Sequence, residues 1–110
     1  MSRPRLAILL SGRGSNFLAL HRAVEAGQIN ADIALVLSNI DGAPGLDRAR
    51  ELGLATRSLP HRRLKRARHE ELVIEALREA EIDWVCLAGY MRLLGGDFVD
   101  AYRHRIVNIH

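Results

Sequence analysis

Short apolar runs alternate with segments of helical spacing along the whole chain, and this alternation limits the fold more than any other feature. The runs lie at 6–10, 33–37, 83–88 and 106–109, with a weaker one at 55–59. They are rich in Leu, Ile and Val and bounded by turn residues, as fully buried strands are. Strands that alternate with helices predict βαβ units and therefore an α/β fold.

The segments between the runs predict helices at 16–26, 45–52, 66–81 and 97–102. In the first of these, Ser15 is placed to cap the start and Gly27 to stop the end. In the third, one apolar face is predicted, made of Leu72, Val73, Ala76, Leu77 and Ala80. Right-handed crossovers then give a doubly wound parallel sheet, in which ligands bind beyond the carboxyl ends of the strands.

Composition narrows the class of protein. The chain has 110 residues, which is one domain, and 48% are hydrophobic. A net charge of +3 favours anionic ligands weakly and gives no argument for nucleic acid. The single Cys86 excludes an intramolecular disulfide and is predicted to be a buried thiol. No signal peptide is evident, and no run approaches the roughly 18–20 apolar residues of a membrane span, so a soluble cytoplasmic protein is expected.

The stretch SGRGSN, residues 11–16, follows the first predicted strand and opens the first predicted helix. Its glycines allow a tight turn, and a helix start offers free N–H groups that suit a phosphate. Phe17 stands where a dinucleotide fingerprint needs its third glycine, and Ser38-Asn39 offers no acid for a ribose. The motif predicts either a compact cradle for one phosphate or a plain glycine-rich turn with a serine cap.

Two further loops carry unusual residues. AGYMRLLG, residues 88–95, is apolar where the chain should reach solvent, which indicates either a pocket wall or a self-packed connector. In NIH, the strand period places Asn108 and His110 on one face. Histidine transfers protons near neutrality and asparagine can stabilise an oxyanion, so this pair suits acyl transfer. The alternative is two polar residues at an ordinary strand end.

Taken together, LLSGRGSN, SNIDGAPGLDRARELGLAT, VCLAGYMRLL and IVNIH resemble the N-terminal half of the glycinamide ribonucleotide transformylase family. The resemblance covers the whole chain, in order and at similar spacing. It implies a Rossmann-like fold and the transfer of a formyl group from 10-formyltetrahydrofolate to the amine of phosphoribosylglycinamide, a step of purine synthesis.

The resemblance also implies the site residues, each carried over from a matching motif. Gly14, Ser15 and Asn16 would hold the substrate phosphate. Asn108 and His110 would be catalytic, with Asn108 also touching folate. The remaining folate contacts would be Arg66, Met91, Arg92, Leu93 and Leu94. No metal is implied, and the partners are small molecules without nucleic acid or membrane.

The family pattern continues beyond NIH, with a Pro-Ser-Leu-Leu-Pro stretch, further strands and an Asp that acts on the catalytic histidine. Residues 1–110 are therefore expected to be the N-terminal portion of a formyltransferase domain whose C-terminal portion is absent. We expect the chain to be inactive or nearly so by itself. The fifth strand would be an open sheet edge, available to a complementing C-terminal fragment or to self-association.

Several alternatives remain open at this point. Formyltetrahydrofolate deformylase and methionyl-tRNA formyltransferase share a related Asn-x-His, and a non-catalytic phosphate- or folate-binding module or an assembly domain also fits. The basic run from Arg62 to Arg68 predicts a solvated helix start, with an anion partner as the second reading. The histidines show no metal-ligand spacing and are predicted to be surface or packing residues: His21, His61, His69 and His104.

Overall fold

Five parallel strands form a single sheet in the computed structural model, which describes residues 3–62, 64–91 and 94–109. The strands are β1 (Arg5–Leu10), β2 (Asp32–Ser38), β3 (Thr56–Ser58), β4 (Trp84–Ala88) and β5 (Ile106–Ile109). Their order across the sheet is β3-β2-β1-β4-β5. This confirms the predicted doubly wound α/β architecture.

Four helices connect the strands within the described residues. They are α1 (Ser15–Glu25), α2 (Pro44–Glu51), α3 (Arg66–Glu79) and α4 (Gly96–Ala101). Every helix and strand was predicted from the sequence, and no boundary differs by more than two residues. The reason is that parallel strands buried on both faces read as plain apolar runs, and the helices between them keep the 3.6-residue period.

The core has two layers, one on each face of the sheet. Leu6, Ile8 and Leu10 of β1 pack with α1 and α2, where Phe17 and Leu46 are fully buried. The alternate residues of β1 pack on the opposite face with α3 and α4. β1 is the centre of the fold, because it buries residues on both faces of the sheet and pairs with β2 on one side and β4 on the other.

The buried face of α3 is wider than the sequence predicts. His69, Glu70 and Ile74 are buried in addition to the predicted residues, whereas Leu72 is only half-buried. His69 is accommodated because its Nε2 lies 2.7 Å from the carbonyl oxygen of Leu59. The spacing of apolar residues does not predict the burial of polar residues such as His69 and Glu70.

The structure also tests the predicted stop of α1 and the predicted burial of the Cys86 thiol. Gly27 ends α1 with φ 77°, and its N–H donates to the carbonyl of Val24, as a helix stop requires. Cys86 is buried in β4, and burial raises the pKa of its thiol. None of the described helices has the length and apolar character needed to cross a membrane.

Candidate functional site

The loops that follow β1, β2 and β4 meet at the carboxyl edge of the sheet. The register pairs Leu9 with Leu87 and Leu87 with Asn108, so the ends of β1, β4 and β5 lie side by side. Beyond the strands, the N–H of Ser11 donates to the carbonyl of Gly89 at 3.2 Å. The sequence motifs singled out above are therefore neighbours in space.

The first loop leads into α1, and no side chain caps the start of this helix. Gly14 is the N-cap, with φ 81°, and no side chain accepts from the first turn. The predicted capping by Ser15 is therefore wrong, because Ser15 is already the first helical residue and is exposed. The first turn also contains no acidic residue. Uncapped amides at the positive end of a helix form an anion-binding arrangement.

Gly14 is required at its position for two reasons. Its positive φ is unfavourable for residues with a Cβ, and a Cβ there would lie 3.0 Å from the Cα of Gly45 at the start of α2. The N–H of Gly45 in turn donates to the carbonyl of Gly12 at 3.0 Å. The backbone of α2 thus fixes the shape of the first loop.

A cavity of about 340 Å³ opens beside this cradle, between the starts of α1 and α2. Its lining includes Arg13 and Arg48, both of which are exposed. Arg48 has a loose partner in Glu51, at 3.6 Å. Two guanidinium groups therefore lie beside the uncapped amides at the start of α1, and such cationic groups attract anions.

The second loop, after β4, combines a fixed backbone with an exposed apolar side chain. Met91 is 82% exposed, while Tyr90 and Leu94 pack against the α3–α4 side of the core. The predicted folate residues Arg92 and Leu93 lie outside the described residues. A thioether that projects from an anchored backbone presents an adaptable apolar surface to a ligand.

Buried polar side chains anchor the start of this loop. The N–H of Met91 donates to Oγ of Ser11 at 2.8 Å, and Ser11 Oγ donates to Oδ1 of Asn39 at 2.6 Å. The Nδ2 of Asn39 lies 3.1 Å from Nδ1 of His61. Asn39 is only 2% exposed. Ser11 and Asn39 were assigned no site role from the sequence, and His61 was predicted only as a surface or packing residue, because their contacts join loops 22 to 80 residues apart.

The far end of the loop is held by Glu70 of α3. Its Oε1 accepts from the N–H of Gly95 at 2.8 Å, which supplies α4 with a carboxylate at its N-terminus. A Cβ at position 95 would lie 2.7 Å from Glu70 Oε2, so a side chain there would displace the Glu70 carboxylate. Arg66, predicted to contact folate, is exposed and lines a cavity of about 330 Å³ with Glu70 and Gly95.

Asn108 lies on the outermost strand at the same edge. Strand alternation places Asn108 on the side of Ile106, which packs with α3 and α4, as do Tyr90 and Leu94. Asn108 is exposed, and no hydrogen bond of its side chain occurs among the described residues. Its predicted partner His110 lies outside them. Asn108 therefore lies on the same side of the sheet as Tyr90 and Leu94 of the loop after β4, which we call the Met91 loop. The glycine cradle lies at the start of α1, which packs on the opposite side of the sheet.

Three observations bear on the remaining predictions. No group of three or more possible metal ligands occurs in the described part of the chain. A cavity of about 610 Å³ lies between α3 and α4. Its carboxylates include Glu71 and Asp100, which already pair with Arg68 and Arg103. In the basic run, Arg62 and Arg66 are exposed, as a solvated helix start requires.

Comparison with known proteins identifies the family. The family model described as formyl transferase matches residues 4–110, which is nearly the entire chain. The chain belongs to the formyl transferase family.

Individual relatives refine this assignment. The chain is 42% identical to phosphoribosylglycinamide formyltransferase from Brucella melitensis, with a TM-score of 0.93, over 99% of this chain and 57% of that one. It is 40% identical to the trifunctional purine biosynthetic protein adenosine-3 of Bos taurus, over 98% of this chain and 11% of the bovine protein. Formyltetrahydrofolate deformylase from Burkholderia mallei is similar in fold, with a TM-score of 0.89, at 25% identity over 99% of this chain and 38% of that one. The chain thus spans only part of the length of each of these formyl transferase relatives.

The close approach of the two glycines gives a stability prediction. Gly14→Ala should lower the free energy of unfolding by more than Gly27→Ala, although both positions have nearly the same positive φ. Left-handed φ costs about 1–2 kcal/mol in both variants. Only position 14 adds a contact with backbone, since nothing lies within 4 Å of a Cβ at position 27. Urea unfolding of the two variants measures the difference, and equal losses would contradict the proposed packing of α2 on the first loop.

Proposed function

We propose that this chain contributes to formyl transfer from 10-formyltetrahydrofolate to the amine of phosphoribosylglycinamide. The family match and the similarity to phosphoribosylglycinamide formyltransferases support the reaction type. The observation that carries the choice of substrate is the uncapped start of α1 at Gly14, flanked by exposed Arg13. A phosphorylated acceptor uses such a cradle, whereas water, the acceptor in deformylation, does not.

In this proposal Gly14, Ser15 and Asn16 bind the phosphate. The backbone N–H groups of the first helical turn donate to its oxygens, and the hydroxyl and amide side chains add further donors. The glycine keeps the backbone close to the ligand because it has no side chain to interpose. Binding the phosphate holds the acceptor amine at a fixed distance along the carboxyl edge of the sheet, which lowers the entropy cost of the reaction.

The formyl donor lies against the loop after β4. Met91 and Leu94 contribute apolar contacts, and the backbone of this segment offers hydrogen bonds to a flat heterocycle. By family resemblance, Arg92, Leu93 and Arg66 complete the folate contacts. The anchoring of the loop at Ser11 and at Glu70 favours a preformed pocket, since its backbone is held near both ends.

Asn108 and His110 act on the reacting atoms. The amine lone pair attacks the formyl carbon, and the carbonyl oxygen becomes an oxyanion that the Asn108 amide and a protonated His110 stabilise. The attacking nitrogen, positively charged in the tetrahedral intermediate, loses one proton to solvent water. The bond between the formyl carbon and folate nitrogen then breaks, and that nitrogen takes a proton from His110.

We also propose that a further polypeptide segment covers β5, supplied by a longer form of this chain, a complementing fragment or a second copy. β5 is the last strand of the described sheet, with Val107 42% exposed. An open strand edge pairs readily with another strand. The solved formyltransferase from Brucella melitensis is longer than the part that this chain matches.

The phosphate cradle gives a binding prediction. By calorimetry, phosphoribosylglycinamide should bind at least about tenfold more tightly than its dephosphorylated nucleoside, because charge-assisted hydrogen bonds contribute about 1.5–3 kcal/mol. Asn16→Ala should weaken binding several-fold. Asn30→Ala, a matched change at an exposed site beyond the other end of α1, should not. Equal affinity for the two ligands would remove the main support for a phosphorylated acceptor.

The role of Asn108 gives a kinetic prediction. The assay protein joins residues 1–110 to the part of the Brucella melitensis formyltransferase that this chain does not match. In it, Asn108→Ala should lower kcat by roughly 10²–10³, the usual loss for one oxyanion donor. Asn30→Ala again serves as the control. An active fusion that keeps its rate after Asn108→Ala contradicts the mechanism, and hydrolysis of the donor without transfer would favour a deformylase.

A further inference from the structure

The hydroxyl of Ser11 joins two loops that the proposed reaction uses for different ligands. Ser11 stands immediately before the glycines of the cradle, yet its side chain contacts the loop after β4. Its Oγ accepts from the N–H of Met91 at 2.8 Å, and its own N–H donates to the carbonyl of Gly89 at 3.2 Å. Two hydrogen bonds from one residue thus fix both the beginning of the Met91 loop and its distance from β1.

Ser11 is itself fixed from the opposite direction. Its hydroxyl proton goes to Oδ1 of Asn39 at 2.6 Å, so the lone pairs of Oγ face the amide of Met91. Asn39 is 2% exposed and Ser11 is 9% exposed, so water cannot readily substitute for either bond. The direction of the hydroxyl is therefore determined by a buried amide rather than by solvent.

His61 completes this support at the end of β3. Its Nδ1 lies 3.1 Å from Nδ2 of Asn39 and 3.2 Å from the backbone oxygen of Asn39. One ring nitrogen cannot accept from the first and donate to the second at the same time, so the tautomer with an unprotonated Nδ1 is the one that satisfies Nδ2. In that tautomer the chain of donors runs from Asn39 to His61, from Ser11 to Asn39 and from Met91 to Ser11.

Met91 combines an exposed side chain with a backbone amide that bonds to Ser11. An apolar side chain 82% exposed would normally lie on a loose loop, but here the backbone N–H of the same residue bonds to a buried hydroxyl. This hydrogen bond restrains the backbone at Met91 while the side chain is left for a ligand. Glu70 holds the other end of the segment through Gly95.

We propose that Ser11 is a positioning residue for the formyl-donor loop, acting through the Met91 amide and oriented by Asn39 and His61. Ser11 touches neither ligand in this proposal. It acts by reducing the number of conformations that the loop must lose when the donor binds. The inference rests on the proposed function for the identity of the ligand, whereas the restraint on Met91 is independent of it.

The test measures the loop and the ligands separately in the 110-residue chain. In Ser11→Ala, the Met91 amide should exchange its hydrogen about tenfold faster, since a net hydrogen bond of about 1.4 kcal/mol corresponds to that factor. Affinity for a folate analogue should fall about five- to tenfold. Affinity for inorganic phosphate at the cradle should change less than twofold, because no hydrogen bond of the Ser11 side chain goes to residues 12–16.

Two further variants separate positioning from general stability. Ser11→Thr keeps the hydroxyl and should return Met91 exchange and folate affinity to near wild-type values. Ser58 is the last residue of β3, and among the described residues its hydroxyl bonds only to Asp41. Ser58→Ala should therefore leave the hydrogen exchange of the Met91 amide unchanged. The midpoint of thermal unfolding is measured for each variant, so that a general loss of stability can be recognised.

The outcomes distinguish the inference from the proposed function. Unchanged Met91 exchange in Ser11→Ala overturns the inference, as does an equal fall in folate and phosphate affinity. A Ser11→Thr variant of wild-type stability that still exchanges as fast as Ser11→Ala also overturns it. Failure of the wild-type chain to bind the folate analogue contradicts the proposed function, while the exchange arm still decides whether Ser11 restrains the loop.

Discussion

The parallel pairing of β1 with β4 determines where every candidate functional residue lies. These strands are the point where the strand order reverses, since β2 and β3 lie on one side and β5 on the other. The chain leaves β1 for α1 on one face and leaves β4 for α4 on the opposite face. A crevice opens where neighbouring connections diverge in this way. The glycine cradle and the Met91 loop form its two sides.

Buried polar groups give this crevice a defined shape. Ser11 and Asn39 are enclosed by protein and satisfied by each other, and leaving one such group unsatisfied costs about 1–3 kcal/mol. Glu70 and Gly95 form a half-buried hydrogen bond at the other end of the Met91 loop. Alternative loop conformations would break these bonds. These bonds restrain the backbone at Met91 and at Gly95, while the Met91 side chain remains exposed.

The sequence predicted the fold well and the site only in part, for a physical reason. Apolar periodicity reports which elements form, so β1 to β5 and all four helices were found. The sequence also singled out Gly14 and Asn108, whose roles stay predictions, since glycine at a strand-to-helix turn and polar residues at a strand end have a local signature. Ser15 was misread as a cap because Gly14 takes the cap position with a positive φ.

The supporting residues had no local signature at all. Ser11 meets Met91 80 positions later, and Glu70 meets Gly95 across two different helices. Such pairs depend on how the loops pack, which neither periodicity nor motif spacing reports. His61 was predicted as a surface or packing residue, and it does pack, but against an asparagine at the candidate site.

We propose that the cradle and the Met91 loop, on opposite sides of one crevice, serve a single reaction. The most direct measurement uses a bisubstrate ligand that joins phosphoribosylglycinamide to a folate analogue, with NMR observation of the Gly14 and Met91 amides. Linking two groups that bind adjacent sites raises affinity by roughly 10²-fold or more. The account predicts that the joined ligand binds at least that much more tightly than either half and shifts both signals at once. A joined ligand that binds no better than its stronger half, or that shifts only one of the two signals, would contradict it.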